Sequence, residues 1–296
     1  MLRGKLPTLS FVFFTLLLVA TGPAVAQNVS EPDSDSNHNV VLLTDRESFV
    51  RAIRNNTEPD SIVQAAYQQL FNDIGAPAFE LTPGERALQL LDGEAPVCMP
   101  FKLKTAAREA NYLFSLPTDI YLSLRLYQRE SSPPLGAALL TDDGKVRSLT
   151  DAIMASGVLI LISGHSYGSV LDAAIENIPA SRLYYKVGMD PYQAYLQMLA
   201  RGRGDFALLF PSVAASLSQQ TPLREYAISE LPTFTTGHLM CNDRPASRAF
   251  IDKVNTALQA HYRDGSFEQV HAPYFSDADQ GVLHTFIQTL WQRSEH

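Results

Sequence analysis

Beyond residue 38 the chain alternates between two hydrophobic periodicities. Short apolar runs, typical of buried strands, cover residues 40–44, 95–101, 157–163, 183–187 and 205–210. Between them apolar residues recur at helical spacing, over residues 58–74, 82–91, 148–155, 166–177 and 191–199. Two further helical stripes follow at 249–261 and 277–292. Strands that alternate with helices predict an α/β fold with two mainly parallel sheets.

Two proline-containing breaks divide this pattern. Residues 120–129 alternate apolar and polar side chains, which predicts one half-buried strand, and Pro133 and Pro134 follow it. Pro232 interrupts the chain again about 100 residues later. The simplest arrangement inserts one lobe into another. The first lobe would be 39–130, the second 131–232, and 233–296 would return to the first. Ligands of such sheets bind beyond the carboxyl ends of the strands.

The first 26 residues have the pattern of a secretory signal peptide. Arg3 and Lys5 precede an apolar run over 9–20, and Ala24-Val25-Ala26 matches the small residues of a cleavage site. The run is shorter than the roughly 20 residues of a spanning helix, although an uncleaved anchor is the alternative. Residues 27–38, rich in Ser, Asp and Asn, are predicted to be a disordered leader. We therefore expect a periplasmic protein.

Charge and motif content exclude several function classes. The chain has 31 acidic and 23 basic residues, a net charge of −8, and no basic cluster, so no nucleic-acid partner is expected. Its seven histidines form no zinc motif, and phosphate-loop and dinucleotide glycine patterns are absent from the sequence. We expect neither a metal nor a cofactor.

One motif suggests an enzyme. Gly164-His165-Ser166-Tyr167-Gly168 matches G-x-S-x-G between an apolar strand and a helix, as in the nucleophile elbow of α/β-hydrolases. A serine hydrolase would use Ser166 as nucleophile, Asp205 as the acid, and one of three histidines as base, namely His238, His271 or His284. The same turn also suits anion binding, because a hydroxyl and backbone N–H groups meet at a helix N-terminus. An enzyme built on a binding fold, with His165 in its cleft, is a third possibility.

Several segments together resemble the family 3 extracellular solute-binding proteins of ABC importers. They are Pro83–Leu88 with Leu91–Gly93, Thr105-Ala106-Ala107-Arg108, Phe114-Ser115-Leu116-Pro117, Ser148–Asp151, Gly164-His165-Ser166, and Leu199–Asp205. The resemblance spans roughly residues 40–265, and the T-x-x-R and F-S-x-P pair is its most specific signal. It is closest to a little-characterised branch of that family. It implies a type II periplasmic-binding-protein fold, two lobes joined by a two-strand hinge, with the ligand held between them.

The resemblance also implies ligand-binding residues. Arg108 matches the arginine that clamps the ligand carboxylate, for which a planar guanidinium is suited, and Thr105 matches the hydroxyl residue beside it. Ser166 matches the hydroxyl residue of the second lobe, and Tyr167 would flank it. Arg108 as a surface ion pair and Thr105 as a helix cap are the structural alternatives.

Two departures from the family bear on the ligand. Phe210 stands where amino-acid binders carry the acid that neutralises the ligand ammonium, and Phe101 stands where small polar residues are usual. A phenyl ring does not neutralise a buried ammonium. We therefore expect a small polar or anionic ligand, such as a carboxylate with an apolar part. The implied partner is an ABC permease or a membrane sensor, and the protein is expected to be a monomer.

The chain has two cysteines, Cys98 and Cys241, and export would place them in an oxidising compartment. From sequence alone, one long-range bridge and two separate buried thiols are both open. In the fold that the resemblance implies, Cys98 lies on a first-lobe strand and Cys241 on the strand that returns to that lobe. The resemblance therefore implies a disulfide between them.

Overall fold

The computed structural model describes residues 40–188, 191–217 and 222–294. The predicted signal peptide (1–26) and leader (27–38) lie outside the described residues. Within the described part of the chain, every helix is too short or too polar to cross a bilayer.

Eleven strands and eleven α-helices make up the described chain. The strands are β1 (Val41–Thr44), β2 (Ala78–Leu81), β3 (Val97–Lys102), β4 (Leu113–Phe114), β5 (Asp119–Leu122), β6 (Arg125–Arg129), β7 (Leu159–Ile162), β8 (Leu183–Lys186), β9 (Phe206–Leu209), β10 (Leu223–Tyr226) and β11 (Phe234–Cys241). The helices are α1 (Glu47–Asn55), α2 (Ile62–Ile74), α3 (Gly84–Leu91), α4 (Ala106–Glu109), α5 (Leu149–Ser156), α6 (Ser169–Glu176), α7 (Pro191–Ala200), α8 (Pro211–Leu217), α9 (Pro245–Asp264), α10 (Ser266–His271) and α11 (Asp277–Ser294).

The strands form two sheets, one in each lobe. The first has the order β2-β1-β3-β11-β4, with β5 also paired to β11, and the second has the order β10-β6-β9-β7-β8. Strands joined through helices run parallel, as β1 does to β2 and β3, and as β7 does to β8 and β9. The two-lobed α/β fold is therefore confirmed.

Both sheets are nevertheless mixed rather than mainly parallel. β11 runs antiparallel to β3, β4 and β5, and β6 runs antiparallel to β9 and β10. β6 and β11 are the strands by which the chain enters a lobe from the other one. Each runs antiparallel to its neighbours in the sheet that it joins, and local periodicity does not report strand direction.

The chain crosses between the lobes earlier than the prolines predicted. The alternating segment 120–129 is not one strand, because β5 pairs in the first sheet and β6 in the second. The crossing lies at Ser123 and Leu124, where the Ser123 N–H donates to the Thr233 carbonyl on the returning connection. The alternation of apolar and polar residues continues through the crossing, so the pattern alone does not locate it. It also does not report burial, because three consecutive residues are buried in β5 and in β6.

Each lobe has its own hydrophobic core. Helices α2 and α9 cover the first sheet with fully buried side chains such as Tyr67, Leu70 and Phe250. In the second lobe all four residues of β7 are buried, as expected for a strand covered on both faces. Phe210 packs against both cores.

The two cysteines form a disulfide. Cys98 on β3 and Cys241 on β11 are direct partners in the antiparallel register, and their sulfur atoms are bonded. The bridge joins the first segment of the first lobe to the segment that returns after the second lobe, which confirms the implied pairing.

Candidate functional site

A cleft of about 880 Å³ lies between the two sheets and is lined from both lobes. Its polar walls follow the carboxyl ends of strands. Asp45 and Arg46 follow β1, Lys102 ends β3, and His165 follows β7. This is where α/β sheets of this kind hold ligands. Phe101, Ser166, Tyr167 and Phe210, predicted from sequence, also line the cleft, whereas Thr105 and Arg108 do not contact it.

Arg46 is the central cation of the cleft, and sequence reasoning missed it. Its guanidinium carbon lies 4.7 Å from the ring centre of Phe101 and 5.0 Å from that of Tyr192, which belongs to α7 of the second lobe. It also hydrogen-bonds to Tyr192. Burial opposes its charge, but Tyr192, Tyr121 and Asp45 outweigh burial and raise the pKa of Arg46. A charged guanidinium therefore bridges the two lobes through cation–π contacts.

Phe101 is held in an unusual backbone conformation. Its φ of 61° is in the left-handed region, which bulky residues rarely occupy. Phe49 and Tyr67 contact its ring edge-to-face at 4.7 and 5.2 Å, and its N–H donates to the Tyr67 hydroxyl. These contacts hold the Phe101 ring against Arg46. The strained backbone of Phe101 therefore occurs at a residue whose ring is fixed in the wall of the cleft.

Lys102 is a second cation in the cleft. Burial lowers its pKa to about 8, with further lowering by Arg108 and Arg46 and an opposing contribution from Asp45. The ammonium is therefore mostly charged at pH 7 and mostly neutral at pH 9. In the sequence, only the position of Lys102 at the end of a predicted strand could have indicated that it lines the cleft.

The predicted arginine clamp is bound within the chain. Thr105 caps α4 by accepting from the Arg108 N–H, as its structural alternative predicts. The Arg108 guanidinium donates to the Leu103 carbonyl at 3.2 Å. Burial lowers the pKa of Arg108, and the negative charge of Asp172 in α6 of the other lobe opposes this.

Asp172 also binds the predicted hydroxyl of the second lobe. The Ser166 hydroxyl donates to one carboxylate oxygen of Asp172 at 2.5 Å, and the Tyr167 N–H donates to the other at 2.7 Å. The Gly168 N–H donates in turn to the Ser166 hydroxyl. A carboxylate of the protein thus occupies the Ser166 side of the expected clamp. In the sequence, the feature that could have indicated this role of Asp172 is its place in the first turn of the helix that follows the turn between Gly164 and Gly168.

Tyr167 and Phe210 differ in what they offer to the cleft. Tyr167 is buried, and its hydroxyl accepts from the Ile162 N–H at 2.7 Å, so its polar end is used within the second lobe. The Phe210 ring stacks on that of Tyr121, with centres 4.7 Å apart and planes at 27°. The rings of Phe210 and Tyr121 together form an aromatic wall between the end of β9 and β5.

His165 faces the cleft with one nitrogen unused. Its Nδ1 is buried and has no hydrogen-bond partner among the described residues. Burial, together with the charges of Lys102, Arg46 and Arg108, lowers its pKa to about 3, against a hydrogen bond to the Ser163 backbone. The ring is therefore neutral at physiological pH. It lies edge-on to Tyr192, with ring centres 6.0 Å apart.

The hydrolase hypothesis is not supported by this geometry. The Ser166 hydroxyl donates to Asp172, not to a histidine. The three candidate bases have partners elsewhere: His238 bonds the Ser115 carbonyl and Thr236, His271 the Phe267 carbonyl and the Ile120 N–H, and His284 bonds Glu268. The candidate acid Asp205 accepts from the Val158 N–H.

The described residues hold no cluster of three His, Cys, Asp or Glu side chains arranged for a metal ion. The polar side chains that line the cleft include cations, hydroxyls, amides and the imidazole of His165, together with the carboxylates of Asp45, Glu47 and Asp60.

The lobes also touch directly at the mouth of the cleft. The Ser163 hydroxyl, after β7, hydrogen-bonds to the Glu85 carboxylate at the start of α3. Gly164 has a φ of +75°, and a Cβ there would lie 3.1 Å from the Glu85 nitrogen. Only a residue without a side chain permits this approach at that backbone conformation. The two lobes are therefore in direct contact at this edge of the cleft.

No family model matches the chain, and no characterised protein matches it by sequence. Solved structures do match its fold. A histidine kinase sensor domain similar to periplasmic binding proteins aligns with 82% of this chain and 98% of its own, at 17% identity and a TM-score of 0.57.

Two binding proteins match to a similar degree. The periplasmic binding protein of an arginine transport system from Legionella pneumophila aligns with 80% of this chain and 99% of its own, at 15% identity and a TM-score of 0.54. An ancestral arginine-binding protein bound to arginine aligns with 81% of this chain and 100% of its own, at 13% identity and a TM-score of 0.57. By its sheets, its two-strand crossing and these similarities, the chain has the two-lobed fold of periplasmic binding proteins.

Proposed function

We propose that the protein is a periplasmic solute-binding protein that captures a small polar or anionic ligand between its lobes. The observation that carries the proposal is a cleft of about 880 Å³ whose walls come from both sheets. A cavity of this size accommodates a small organic molecule. The likeness of the fold to periplasmic binding proteins and to a sensor domain supports delivery to an ABC permease or to a membrane sensor.

The domain organisation belongs to this proposal. A signal peptide over 1–26 and a leader over 27–38 would export the chain and precede the first lobe. The first lobe would continue to the crossing at Ser123, and the second would extend from there to Pro232. The remainder would return to the first lobe, and the whole would act as a monomer.

Within this function the predicted site residues have separate roles. We assign Phe101 and Phe210 to contact with the apolar part of the ligand, because both rings line the cleft. Ser166 and Tyr167 form its second-lobe wall. Thr105 and Arg108 lie at the closing edge, where Arg108 and Asp172 attract each other across the lobes.

The mechanism is hinge closure. A ligand that contacts both lobes gains all of its contacts only in the closed state, so binding shifts the population toward closure. Two connections cross between the lobes, paired at Ser123 and Thr233, and these are where rotation would occur.

A ligand screen tests the function. Purified protein is heated with L-amino acids, hydroxycarboxylates and aromatic carboxylates at 1 mM, and its radius of gyration is measured with each hit. At 100 times Kd a ligand should raise Tm by roughly 5–10 °C. The radius of gyration should fall. A protein whose Tm and radius of gyration respond to none of these classes would contradict the proposal.

A further inference from the structure

The cleft holds two cations without a close counterion. Among the residues described, no carboxylate lies within 4 Å of the Arg46 guanidinium or the Lys102 ammonium, although Asp45 acts on both from further away. Over the whole lining the charges balance, with Arg46, Arg51 and Lys102 against Asp45, Glu47 and Asp60, and Arg51 pairs with Glu47 at 3.8 Å. Charges that are partly removed from water are normally paired, so the two cations without a close carboxylate favour an anionic group of the ligand beside them.

Arg46 has hydrogen-bond donors that the described residues do not use. Its guanidinium carbon lies 4.7 and 5.0 Å from the ring centres of Phe101 and Tyr192, within cation–π distance. A guanidinium carries five N–H donors in a planar fork. Among the described residues, Tyr192 accepts one hydrogen bond from it. The remaining donors match the two oxygens of a carboxylate.

The alternative anion site is occupied by the protein itself. Asp172 accepts from the Ser166 hydroxyl and the Tyr167 N–H, and Arg108 donates to the Leu103 carbonyl. A ligand carboxylate there would have to displace Asp172 and meet its negative charge. A ligand carboxylate that binds Arg46 and Lys102 does not have to displace a carboxylate of the protein.

His165 indicates what else the ligand carries. Its ring is neutral and bonds to the Ser163 backbone carbonyl, while Nδ1 has no partner. We assign the N–H of the neutral ring to Nε2, so that Nδ1, the nitrogen without a partner, presents a lone pair to a hydrogen-bond donor. The charges of Lys102 and Arg46 reach the same ring, so an ammonium donor is disfavoured and a hydroxyl is suitable.

We infer that the cleft binds a hydroxycarboxylate with an apolar substituent, the carboxylate on Arg46 and Lys102 and the hydroxyl donating to Nδ1 of His165. The stacked rings of Phe210 and Tyr121 receive the apolar substituent. This assignment rests on the proposed binding function and names its ligand class.

Four matched probes test the ligand class by titration calorimetry. Mandelate carries phenyl, hydroxyl and carboxylate groups, phenylacetate lacks the hydroxyl, phenylglycine replaces it with an ammonium, and methyl mandelate lacks the charge. Mandelate should bind roughly 10-fold or more tightly than each of the others, because each lacks one hydrogen-bonded or charged contact. Equal binding of mandelate and phenylacetate, or tighter binding of phenylglycine, would overturn the assignment.

Variants locate the contacts. Arg46→Met should weaken mandelate binding roughly 10- to 100-fold, and Arg46→Lys, which retains the charge and is less disruptive, should weaken it less. His165→Phe, which keeps a ring of similar size, should abolish the preference for mandelate over phenylacetate. Arg248→Met, an exposed arginine of α9, is the matched control and should leave mandelate affinity within about 3-fold, with circular dichroism confirming that each variant is folded. Arg108→Met is measured beside them as the variant of the alternative anion site.

The outcomes separate this inference from the proposed function. If an amino acid binds and mandelate does not, or if Arg108→Met loses binding while Arg46→Met keeps it, the inference is wrong and the binding function stands. If no probe of either class binds and the lobes do not close, both are wrong.

Discussion

Arg46 shows how one side chain changes the character of a site. Its guanidinium lies between two aromatic rings from different lobes and faces a cleft that also contains Lys102. Arg46 is adjacent to Asp45 in sequence, so the pattern of the chain presents it as half of an ordinary charged pair at a strand end. The contacts that make it a ligand-binding candidate are all long-range.

The pH dependence of anion binding follows from Lys102. Burial lowers its pKa to about 8, and the neighbouring charges that act on it are Asp45, Arg108 and Arg46. An anion favours the protonated lysine, so affinity is full below about pH 7 and falls as pH rises through 8. We expect mandelate binding to weaken several-fold between pH 7 and 9, as measured by calorimetry.

Two controls sharpen this expectation. Lys102→Met should bind more weakly at pH 7 and lose the change between pH 7 and 9. His165, with a pKa near 3, stays neutral over this range and adds no step of its own. A wild-type affinity that is the same at pH 7 and 9 would contradict the role of Lys102.

At the level of elements, the turn from β7 into α6 is organised by Asp172. Its carboxylate accepts from the Ser166 hydroxyl and the Tyr167 N–H, so it stabilises the start of the helix. The family resemblance assigns the hydroxyl to a ligand, and the G-x-S-x-G pattern assigns it to catalysis. The structure places it in a local hydrogen-bond network in which a carboxylate near a helix N-terminus is favourable.

Replacing Asp172 should therefore destabilise the second lobe. Asp172→Ala leaves a hydroxyl and an N–H without their acceptor, and we expect the free energy of unfolding to fall by about 1–3 kcal/mol. Ser166→Ala removes the bonds that the hydroxyl makes with Asp172 and with the Gly168 N–H but leaves the bond from the Tyr167 N–H to Asp172, and it should cost about 1 kcal/mol. Urea denaturation followed by circular dichroism measures both. A loss from Ser166→Ala that exceeds that from Asp172→Ala would contradict this account.

On the scale of the whole molecule, the disulfide joins two segments that the second lobe separates. Cys98 and Cys241 are 143 residues apart and pair across β3 and β11. A cross-link that closes so long a loop restricts the unfolded chain strongly. The double variant Cys98→Ser, Cys241→Ser should lose about 2–5 kcal/mol of stability in denaturant titration. A dithiothreitol-treated wild type should match it, and an unchanged midpoint in either would contradict the prediction.

Closure of the lobes should depend on the contact between Glu85 and Ser163. This hydrogen bond joins α3 to the turn after β7, beside Gly164. Glu85→Ala should shift the ligand-free protein toward open forms, seen as a larger radius of gyration in small-angle scattering. Gln89→Ala, on the same helix, is the control and should leave it unchanged. A radius of gyration identical in Glu85→Ala and wild type would count against the contact as a closing element.

The sequence by itself determined the succession of strands and helices and indicated two lobes, because periodicity and breaks depend on neighbours in the chain. Its resemblance to a known family implied four of the residues that line the cleft. It did not determine where the chain crosses between lobes, because the alternating pattern continues unchanged from β5 into β6. It also did not show that Asp172 binds Ser166 or that Arg46 bridges the lobes. Those features depend on side chains from separate elements converging after folding, and only the tertiary structure decides which partners meet.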